Sequence, residues 1–522
     1  MTLSRRRTPR SSSTRVSVTL IALAVLGCGS SGSSGTADSG SGSGTGSGTG
    51  RGTGTGSGTG GTRDSGVGSS DSGSHGDTGG SSNDSGNDSG QALHDAGPGA
   101  DVCGFASGSV AWTSSISPTS TTLTITDIAV SQLGTGVAGT NDVVVADLSG
   151  TGTYEQHRWS SSGALEGSHQ DAIGSYAGPF TPSALFMAAD NDLFYGFLKT
   201  GLPQSGNLQA SLVFTKLEPS GAIVFQTPTN ATMPASDGNP TVTMFDSGGD
   251  SGGGLHGPLV MSGPQYFDPG VYCWSGTGSD EGPSAQTVTA MLTGHSYEWP
   301  MPSGNLAVAT QVPAGSFNLG CSGGPLTVPS SGGIVLAQAG GGSGCVRNKL
   351  LTIPTAAVSA WDYRLGADSS SAFAVVYAGS LNFGNGMLTS TGTSSLALAR
   401  FDDNDNLVWA TSIGGTGASF TLGDVGVNSA GTLVVSAGYT GVVQLGDVTL
   451  PSTDNTLIAV FDSTGALSWS KTARVTSPGA LRAAIGACGV VVATNSPSVD
   501  FGAGPLSSAG SPPTIGVAAL GL

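Results

Sequence analysis

The most constraining feature of this sequence is a strand-turn-strand phrase that recurs about every 60 residues. Each copy has an alternating apolar arm, a turn rich in Asp, Asn or Gly, and a second arm that carries an aromatic residue. Clear copies turn near residues 404 and 464, and another turns at Gly221. Such alternation around turn-forming residues is typical of antiparallel β-hairpins. A repeat of this length fits a four-stranded sheet better than a solenoid rung, so the fold is predicted to be all-β.

One unit of the repeat is divided between the two ends of the chain. Hairpin turns are predicted near residues 163, 221, 294, 342, 404 and 464. The segment Ile515–Leu522 matches only a first arm, and Val110–Ile116 resembles the second arm Leu407–Ile413. We therefore predict a seven-bladed β-propeller closed by an N-terminal strand, which leaves no open sheet edge. The alternative is a linear β-solenoid or separate sandwiches, and neither divides one unit between the ends.

The repeats resemble the bacterial seven-bladed propeller repeat family of secreted proteins and lipoproteins. That family carries a Phe-Gly phrase, then Leu-Thr-Ser, then a strand ending in an Asp-x-x-Gly turn and a Trp. The resemblance is good over residues 372–522, moderate over 300–371 and limited to outline over 101–299. It implies structural roles in the blades for five aromatic residues, which are Trp112, Phe383, Trp409, Trp469 and Phe501. It implies no common chemistry, because members share only a scaffold.

Residues 1–27 are predicted to be a lipoprotein signal peptide. A basic start precedes the apolar run Val16–Leu26, which is too short to span a bilayer and suits a signal-peptide core. The run leads into Cys28 in a context that resembles the lipobox of bacterial lipoproteins, and this implies a lipidated Cys28. No aspartate follows Cys28, which by the same resemblance favours the outer membrane of the cell envelope. An ordinary secretory signal with a chance cysteine is the alternative.

Residues 28–100 are predicted to be a disordered linker, and residues 101–522 the folded propeller. The linker is built of Ser-Gly, Thr-Gly and Asp-Ser-Gly units and has almost no apolar residue to bury. The chain has 88 glycines and 10% charged residues, and its formal charge is −17. Because an acidic surface repels phosphate backbones, nucleic acid is excluded as a partner.

Three motifs suggest chemistry, and for each a plainer interpretation is favoured. Gly249–Gly253 copies the nucleophile motif of chymotrypsin-like proteases, but His157 and His169 upstream lie in contexts that do not match. Asp402–Asn406 begins like a calcium loop but lacks the required glycine and glutamate, so a hairpin turn is favoured. Ala459–Trp469 resembles the tryptophan docking motif of quinoprotein propellers, which is structural. Neither cofactor nor metal site is predicted.

The cysteines are expected to be oxidised if the protein is exported. Cys321 and Cys345 fall in one predicted blade and are the candidate disulfide pair. Spacing alone does not pair Cys103, Cys273 or Cys488.

The leading hypothesis is a non-enzymatic, lipid-anchored propeller that binds an envelope protein or a glycan. Its other partner is the membrane, and the protein is expected to be a monomer. One alternative is an envelope enzyme acting on glycans or proteins, which requires acidic and histidine side chains that converge on one face. The candidates for such a cluster are Asp246, Asp250, His256, Asp268 and His295. The other alternative is an assembly factor of the outer-membrane insertion machinery.

Overall fold

A computed structural model of the chain is almost entirely β-structure over the residues it describes. These are residues 105–116, 123–130, 143–149, 153–172, 182–187, 193–200, 207–218, 220–234, 241–244, 248–249, 255–263, 266–274, 280–284, 296–300, 306–317, 324–340, 344–366, 368–475, 481–496, 499–501, 504, 506 and 515–522. The predicted signal peptide, Cys28 and the predicted linker lie outside them. No helix within the described ranges is long and apolar enough to cross a membrane.

Within the described residues the main strands form seven antiparallel sheets, six of four strands and one of five. The sheets are numbered here in chain order, and the first strand along the chain belongs to the last sheet. The first strand is β1 (Val110–Ile116), and sheet 1 contains β2 (Leu123–Val130), β3 (Val143–Ser149), β4 (Thr153–Trp159) and β5 (Leu165–Ala172). Sheet 2 contains β6 (Pro182–Met187), β7 (Leu193–Thr200), β8 (Asn207–Leu217) and β9 (Ile223–Pro234). Sheet 3 contains β10 (Thr241–Met244), the additional short β11 (Gly248–Gly249), β12 (Leu255–Gly263), β13 (Tyr266–Trp274) and β14 (Asp280–Ser284).

Sheets 4, 5 and 6 each carry an inserted two-stranded hairpin between their second and third strands. Sheet 4 contains β15 (Ser296–Pro300), β16 (Leu306–Val312), β19 (Gly333–Gly340) and β20 (Gly344–Leu351), with the hairpin β17 (Gly315–Phe317) and β18 (Leu326–Val328). A short 3-10 helix, Thr355–Ala357, leads to sheet 5, which contains β21 (Val358–Leu365), β22 (Ser371–Tyr377), β25 (Ser395–Phe401) and β26 (Leu407–Ile413), with the hairpin β23 (Ser380–Asn382) and β24 (Met387–Thr389).

The last two sheets complete the array. Sheet 6 contains β27 (Ser419–Val427), β28 (Leu433–Thr440), β31 (Thr456–Phe461) and β32 (Leu467–Ala473), with the hairpin β29 (Gln444–Leu445) and β30 (Val448–Thr449). Sheet 7 contains β33 (Leu481–Ile485), β34 (Gly489–Thr494) and β35 (Ile515–Gly521), and its fourth strand is β1. β1 pairs with β35 in antiparallel register, with Ile116 opposite Ile515, so the two ends of the described domain share one sheet as the sequence predicts.

The sheets pack face to face through apolar side chains. The middle strands β22, β28, β31 and β34 are buried along almost their whole length, whereas the fourth strand β26 is buried only at Trp409 and Ile413. Apolar clusters join sheet 4 to 5, 5 to 6, 6 to 7 and 7 to 1. Middle strands with two covered faces therefore appear in the sequence as continuous apolar runs.

One predicted hairpin was placed wrongly. The turn assigned near residue 294 would make Trp299 part of a second arm, but the structure places Trp299 in β15, the first strand of sheet 4, opposite Ala307. The hairpin of sheet 3 joins β13 to β14 instead, about 20 residues earlier. The error arises because a short strand with an aromatic residue has the same pattern in the first or the fourth position of a sheet.

Candidate functional site

In the described part of the chain, all seven sheets have a β-bulge at the same place, where the third strand pairs with the fourth. Sheets 1, 2, 5 and 6 have a further register irregularity between their first two strands. The bulge falls between Arg400 and Phe401 in sheet 5, and its counterparts occur in the other six sheets. The residue on the fourth strand just after the bulge is called here the latch position. In chain order the latch residues are Trp112, Gly167, Phe225, Gly282, Arg347, Trp409 and Trp469.

The indole rings at latch positions pack on glycines of the next sheet. A Cβ atom on Gly163 would lie 2.6 Å from the Trp112 ring, and one on Gly465 would lie 2.7 Å from the Trp409 ring. Both glycines lie in hairpin turns and have positive φ values, +81° and +87°, which residues with side chains rarely adopt. The latch is therefore a tryptophan on one sheet that needs a glycine on the next sheet.

The latch between sheets 4 and 5 uses charge instead. Arg347 stands in place of the tryptophan, and Asp405 with φ +58° stands in place of the glycine. The Nε of Arg347 lies 3.2 Å from the Oδ2 of Asp405. Lys349 donates to the main-chain oxygen of Asp405, and the Nε2 of Gln338 donates to that of Asp403 at 3.1 Å. These donors bind main-chain oxygens of Asp403 and Asp405 and one carboxylate oxygen of Asp405, so the turn that begins like a calcium loop serves as an inter-sheet contact.

The latch between sheets 1 and 2 has a glycine in place of the tryptophan, so glycine stands on both sides of the contact. Gly167 holds the latch position and faces the turn at Gly221, which has φ +81°. A Cβ on Gly167 would lie 3.1 Å from the main-chain oxygen of Ser220, so the two backbones approach closely. A small cleft lies beside this contact, between β4 and β5 on one side and the end of β8 on the other. It is lined by consecutive residues of β4 and β5 and by the end of β8 with its turn, namely Gln156, His157, Arg158, Gly167, Ser168, His169, Leu217, Glu218 and Gly221.

Gln156 is the distinctive residue of this cleft. Its side chain is 2% exposed, and neither its Nε2 nor its Oε1 has a hydrogen-bond partner within the described ranges. The neighbouring Arg158 is held by Glu166, with Nε and Oε2 3.5 Å apart. A buried amide without partners costs about 1–3 kcal/mol of stability, so its presence in a cleft requires an explanation beyond packing.

The opposite face of the same two strands carries a second polar group. His157 lies directly across from Ser168, and its Nδ1 is 3.0 Å from the Ser168 Oγ. The Nε2 of His157 lies 3.5 Å from the Oε2 of Glu155. Burial lowers the pKa of His157, while the charge and hydrogen bond of Glu155 oppose that shift. The imidazole is therefore neutral at pH 7, between a hydroxyl and a carboxylate.

Carboxylates also join the first strands of sheets 5, 6 and 7, and sequence reasoning missed them. The N–H of Val425 donates to Asp362 at 2.8 Å, and the N–H of Ala483 donates to Asp424 at 3.2 Å. Arg482 stands at the corresponding position of sheet 7 and donates to Asp424 at 2.8 Å. Burial raises the pKa of Asp362. The signal was present as an Asp three residues before the end of β21 and of β27, but it has meaning only once the first strands are aligned.

The aromatic residues singled out in the sequence lie between sheets. Trp112, Trp409 and Trp469 hold latch positions, and Gly108 packs against the Trp469 ring at 3.3 Å for an added Cβ. Phe383 packs edge-on against both Phe373 and Phe401. Phe501 is buried in the cluster between sheets 6 and 7.

The cysteines are only partly described. Cys28, Cys103 and Cys321 lie outside the described residues, so the predicted pair of Cys321 with Cys345 stays a prediction. Cys345 pairs with Ala339 through the backbone of β20. Cys488 is disulfide-bonded.

The residues proposed for an enzymatic cluster do not all come together. Asp246, Asp250 and His295 lie outside the described residues. His256 and Asp268 lie on neighbouring strands, but Asp268 faces Met261, five residues from His256. At about 3.4 Å per residue this separates them by about 17 Å along the sheet and places them on opposite faces. Within the described ranges no group of three or more acidic, histidine or cysteine side chains could hold a metal ion.

The protease motif is also divided. Gly249 belongs to β11 of sheet 3, whereas His157 and His169 belong to sheet 1. Ser251 lies outside the described residues.

No family model matches the chain, and no curated protein sequence matches it. Solved structures with a similar fold include an ulvan lyase of polysaccharide lyase family PL25, with 12% identity, TM-score 0.40, and coverage of 73% of this chain and 93% of the lyase. Another is an α-L-arabinanase from Penicillium chrysogenum complexed with arabinobiose, with 13% identity, TM-score 0.36, and coverage of 66% and 94%. A third is the WD40 domain of SCAP from fission yeast, with 12% identity, TM-score 0.34, and coverage of 78% and 94%. These neighbours have propeller-type folds, and at such values they support no inference about activity.

Proposed function

We propose that the protein is a closed seven-bladed β-propeller, held at the cell envelope by a lipid on Cys28, that binds an uncharged glycan in the cleft at Gln156. Closure is supported by the pairing of β1 with β35 and by strand contacts that pass from each sheet to the next. The first strands β2 and β6 lie together, β11 lies against both β6 and β15, and β15, β21, β27 and β33 follow in turn, with β33 against β2. A ring of this kind displays loops on a rigid scaffold.

The unpaired amide of Gln156 carries the proposal for a glycan. The amide is buried at the base of the cleft, so the proposal requires the cleft to open far enough for one sugar hydroxyl to reach it. An amide offers one acceptor and one double donor, which a sugar hydroxyl complements because it both donates and accepts. Glu218, on the opposite wall of the cleft, adds acceptor oxygens. The formal charge of −17 disfavours polyanionic glycans, so the proposal is made for a neutral one. The chain is proposed to act as a single copy.

The anchor is tested by cell fractionation with detergent phase separation. We expect the wild-type protein in the membrane fraction and the detergent phase, and the Cys28→Ser variant in the soluble fraction, because one or more acyl chains supply the membrane affinity. A Cys273→Ser variant is the matched control and should remain with the membrane. Equal partitioning of wild type and Cys28→Ser would remove the anchor from the proposal.

The ligand is tested on the mature protein with a panel of neutral polysaccharides, followed by calorimetric titration of any that bind. Gln156→Leu should weaken binding by about 5- to 150-fold, which is the equivalent of losing about 1–3 kcal/mol of hydrogen bonding. In the absence of ligand, the same variant should raise the melting temperature, because leucine removes an unpaired buried amide.

Gln338→Leu is the matched control for Gln156→Leu. Gln338 is equally buried, at 4% exposed, but its amide donates to Asp403, so the variant should melt at a lower temperature and leave glycan binding unchanged. Absence of binding to every glycan, or equal binding by wild type and Gln156→Leu, would exclude the cleft as a glycan site. Co-purification with outer-membrane insertion machinery in that case would favour the assembly-factor alternative.

A further inference from the structure

The three side chains Glu155, His157 and Ser168 stand in a line on the face of sheet 1 that is turned toward sheet 7. The antiparallel register of β4 and β5 places His157 opposite Ser168, and Glu155 lies two residues earlier on the same face as His157. The Trp159 indole, next on that face, donates to the Ser114 Oγ of β1 at 3.0 Å. The order hydroxyl, imidazole, carboxylate is the order of a nucleophile, its base and the group that orients the base.

The same positions are filled mostly by small apolar residues in the other sheets, although the counterpart of His157 is Thr215 in sheet 2 and Tyr272 in sheet 3. Counting back two residues from the bulge, the counterparts of His157 are alanines in four sheets, Ala337, Ala399, Ala459 and Ala518. Counting back four, the counterparts of Glu155 in sheets 4 and 5 are Val335 and Ala397. The fold therefore does not need a buried acid and imidazole here, and burying them carries a desolvation cost that packing does not require.

Glu155, His157 and Ser168 differ in solvent exposure and in their hydrogen-bonding roles. Glu155 is 3% exposed and His157 is 9% exposed, whereas Ser168 is exposed. The Nε2–H of His157 faces Glu155, which leaves Nδ1 as the acceptor for the Ser168 hydroxyl. The Nε2 of Gln170 donates to the other oxygen of Glu155 at 3.4 Å and fixes the carboxylate. An exposed hydroxyl on a neutral, oriented imidazole is the arrangement that acyl transfer uses.

We infer that Ser168 is a nucleophile toward carboxylic esters, with His157 as its base and Glu155 as a positioning residue. The Ser168 Oγ forms a bond to the ester carbonyl carbon while its proton passes to His157 Nδ1. Collapse of the tetrahedral intermediate breaks the bond to the alkoxide, which takes that proton from His157 and leaves as the alcohol. Water, deprotonated by the same Nδ1, then attacks the acyl-Ser168 ester and releases the carboxylic acid and the free hydroxyl. Every proton is returned, and no redox step occurs.

The experiment is covalent labelling of the mature protein with a fluorophosphonate probe, with peptide mapping of the labelled site and hydrolysis of p-nitrophenyl acetate in parallel. We expect the label on Ser168, no label there in Ser168→Ala, and a labelling rate about 10²–10⁴-fold lower in His157→Gln. Ser162→Ala, in the neighbouring turn where Ser162 pairs with Ser160, is the matched control and should label at the wild-type rate.

The role of Glu155 has its own readout. Among the described residues it is the charged group that acts on the pKa of His157, and it raises that pKa. Glu155→Gln should therefore shift the pH at which the labelling rate falls to a lower value, a change that a packing role would not produce.

An unlabelled Ser168 in the wild-type protein overturns the inference even if a variant fails to fold, and so does labelling that His157→Gln leaves unchanged. Residues His157 and Ser168 also line the cleft at Gln156, but their side chains lie on the alternate face of the strands, and glycan binding is measured by titration rather than by labelling. Failure of one proposal is therefore distinguishable from failure of the other.

Discussion

Replacing Trp409 with alanine is expected to lower the free energy of unfolding by about 3–5 kcal/mol, the range measured for removal of a buried aromatic ring. Trp409 is buried at the latch position of sheet 5, packs at 6.0 Å between ring centroids on Phe461, and covers Gly465 of the next sheet. The glycine turn is held by backbone hydrogen bonds, so it is not free to collapse into the space that the indole leaves. The loss therefore includes a cavity term as well as the transfer of the ring to water.

The measurement is a calorimetric melt of the mature protein. With an unfolding entropy of about 2 cal/mol/K per residue over about 400 residues, the expected fall in melting temperature is about 4–6 °C. Val408→Ala is the matched control on the adjacent position, where the side chain is 46% exposed, and it should change stability by no more than about 0.5 kcal/mol. If both variants melt alike, the latch does not join the sheets in the way described.

The hairpin repeat and the position of the latch tryptophans could be predicted from the sequence, because each depends on neighbours within a few residues. Alternation, an Asp or Gly in the turn and the aromatic residue after it are local signals, and they located the hairpins of sheets 1, 2, 4, 5 and 6. The same locality explains the error in sheet 3, where Trp299 has a fourth-strand pattern and a first-strand position. Pattern defines a strand, but pairing defines its place in the sheet.

The candidate sites could not be predicted from the sequence in the same way. Gly167 is one glycine among 88 in the sequence, and it becomes significant only when the bulge register aligns it with Trp409 and Trp469. His157 was noted in the sequence beside the wrong serine, because its partner Ser168 is eleven residues away and is brought to it by the hairpin. Repeats make such exceptions visible after alignment, since each sheet provides a control for the others.

The disulfide of Cys488 is expected to join it to Cys103, which lies outside the described residues. Phe105, two residues after Cys103, packs against the same apolar cluster as Cys488, and the N–H of Leu522 donates to the Cys488 main-chain oxygen at 3.2 Å. Cys273 and Cys345 lie on β13 and β20, in sheets 3 and 4. Two residues of chain span at most about 7 Å, which keeps Cys103 within reach of a bond with Cα atoms about 5.5–6 Å apart.

This bond would fasten the strand that completes sheet 7. Because it closes a loop of nearly the whole domain, Cys488→Ser should lower the free energy of unfolding by about 2–5 kcal/mol, or the melting temperature by about 2–6 °C. Ala487→Ser, which places the same side chain on the adjacent residue, is the control and should melt near the wild-type temperature. Peptide mapping without reductant should recover Cys103 joined to Cys488. A bond from Cys488 to any other cysteine contradicts the assignment. In that case no disulfide would fasten β1, and its place in sheet 7 would depend on the ladder to β35 and on the Trp112 latch.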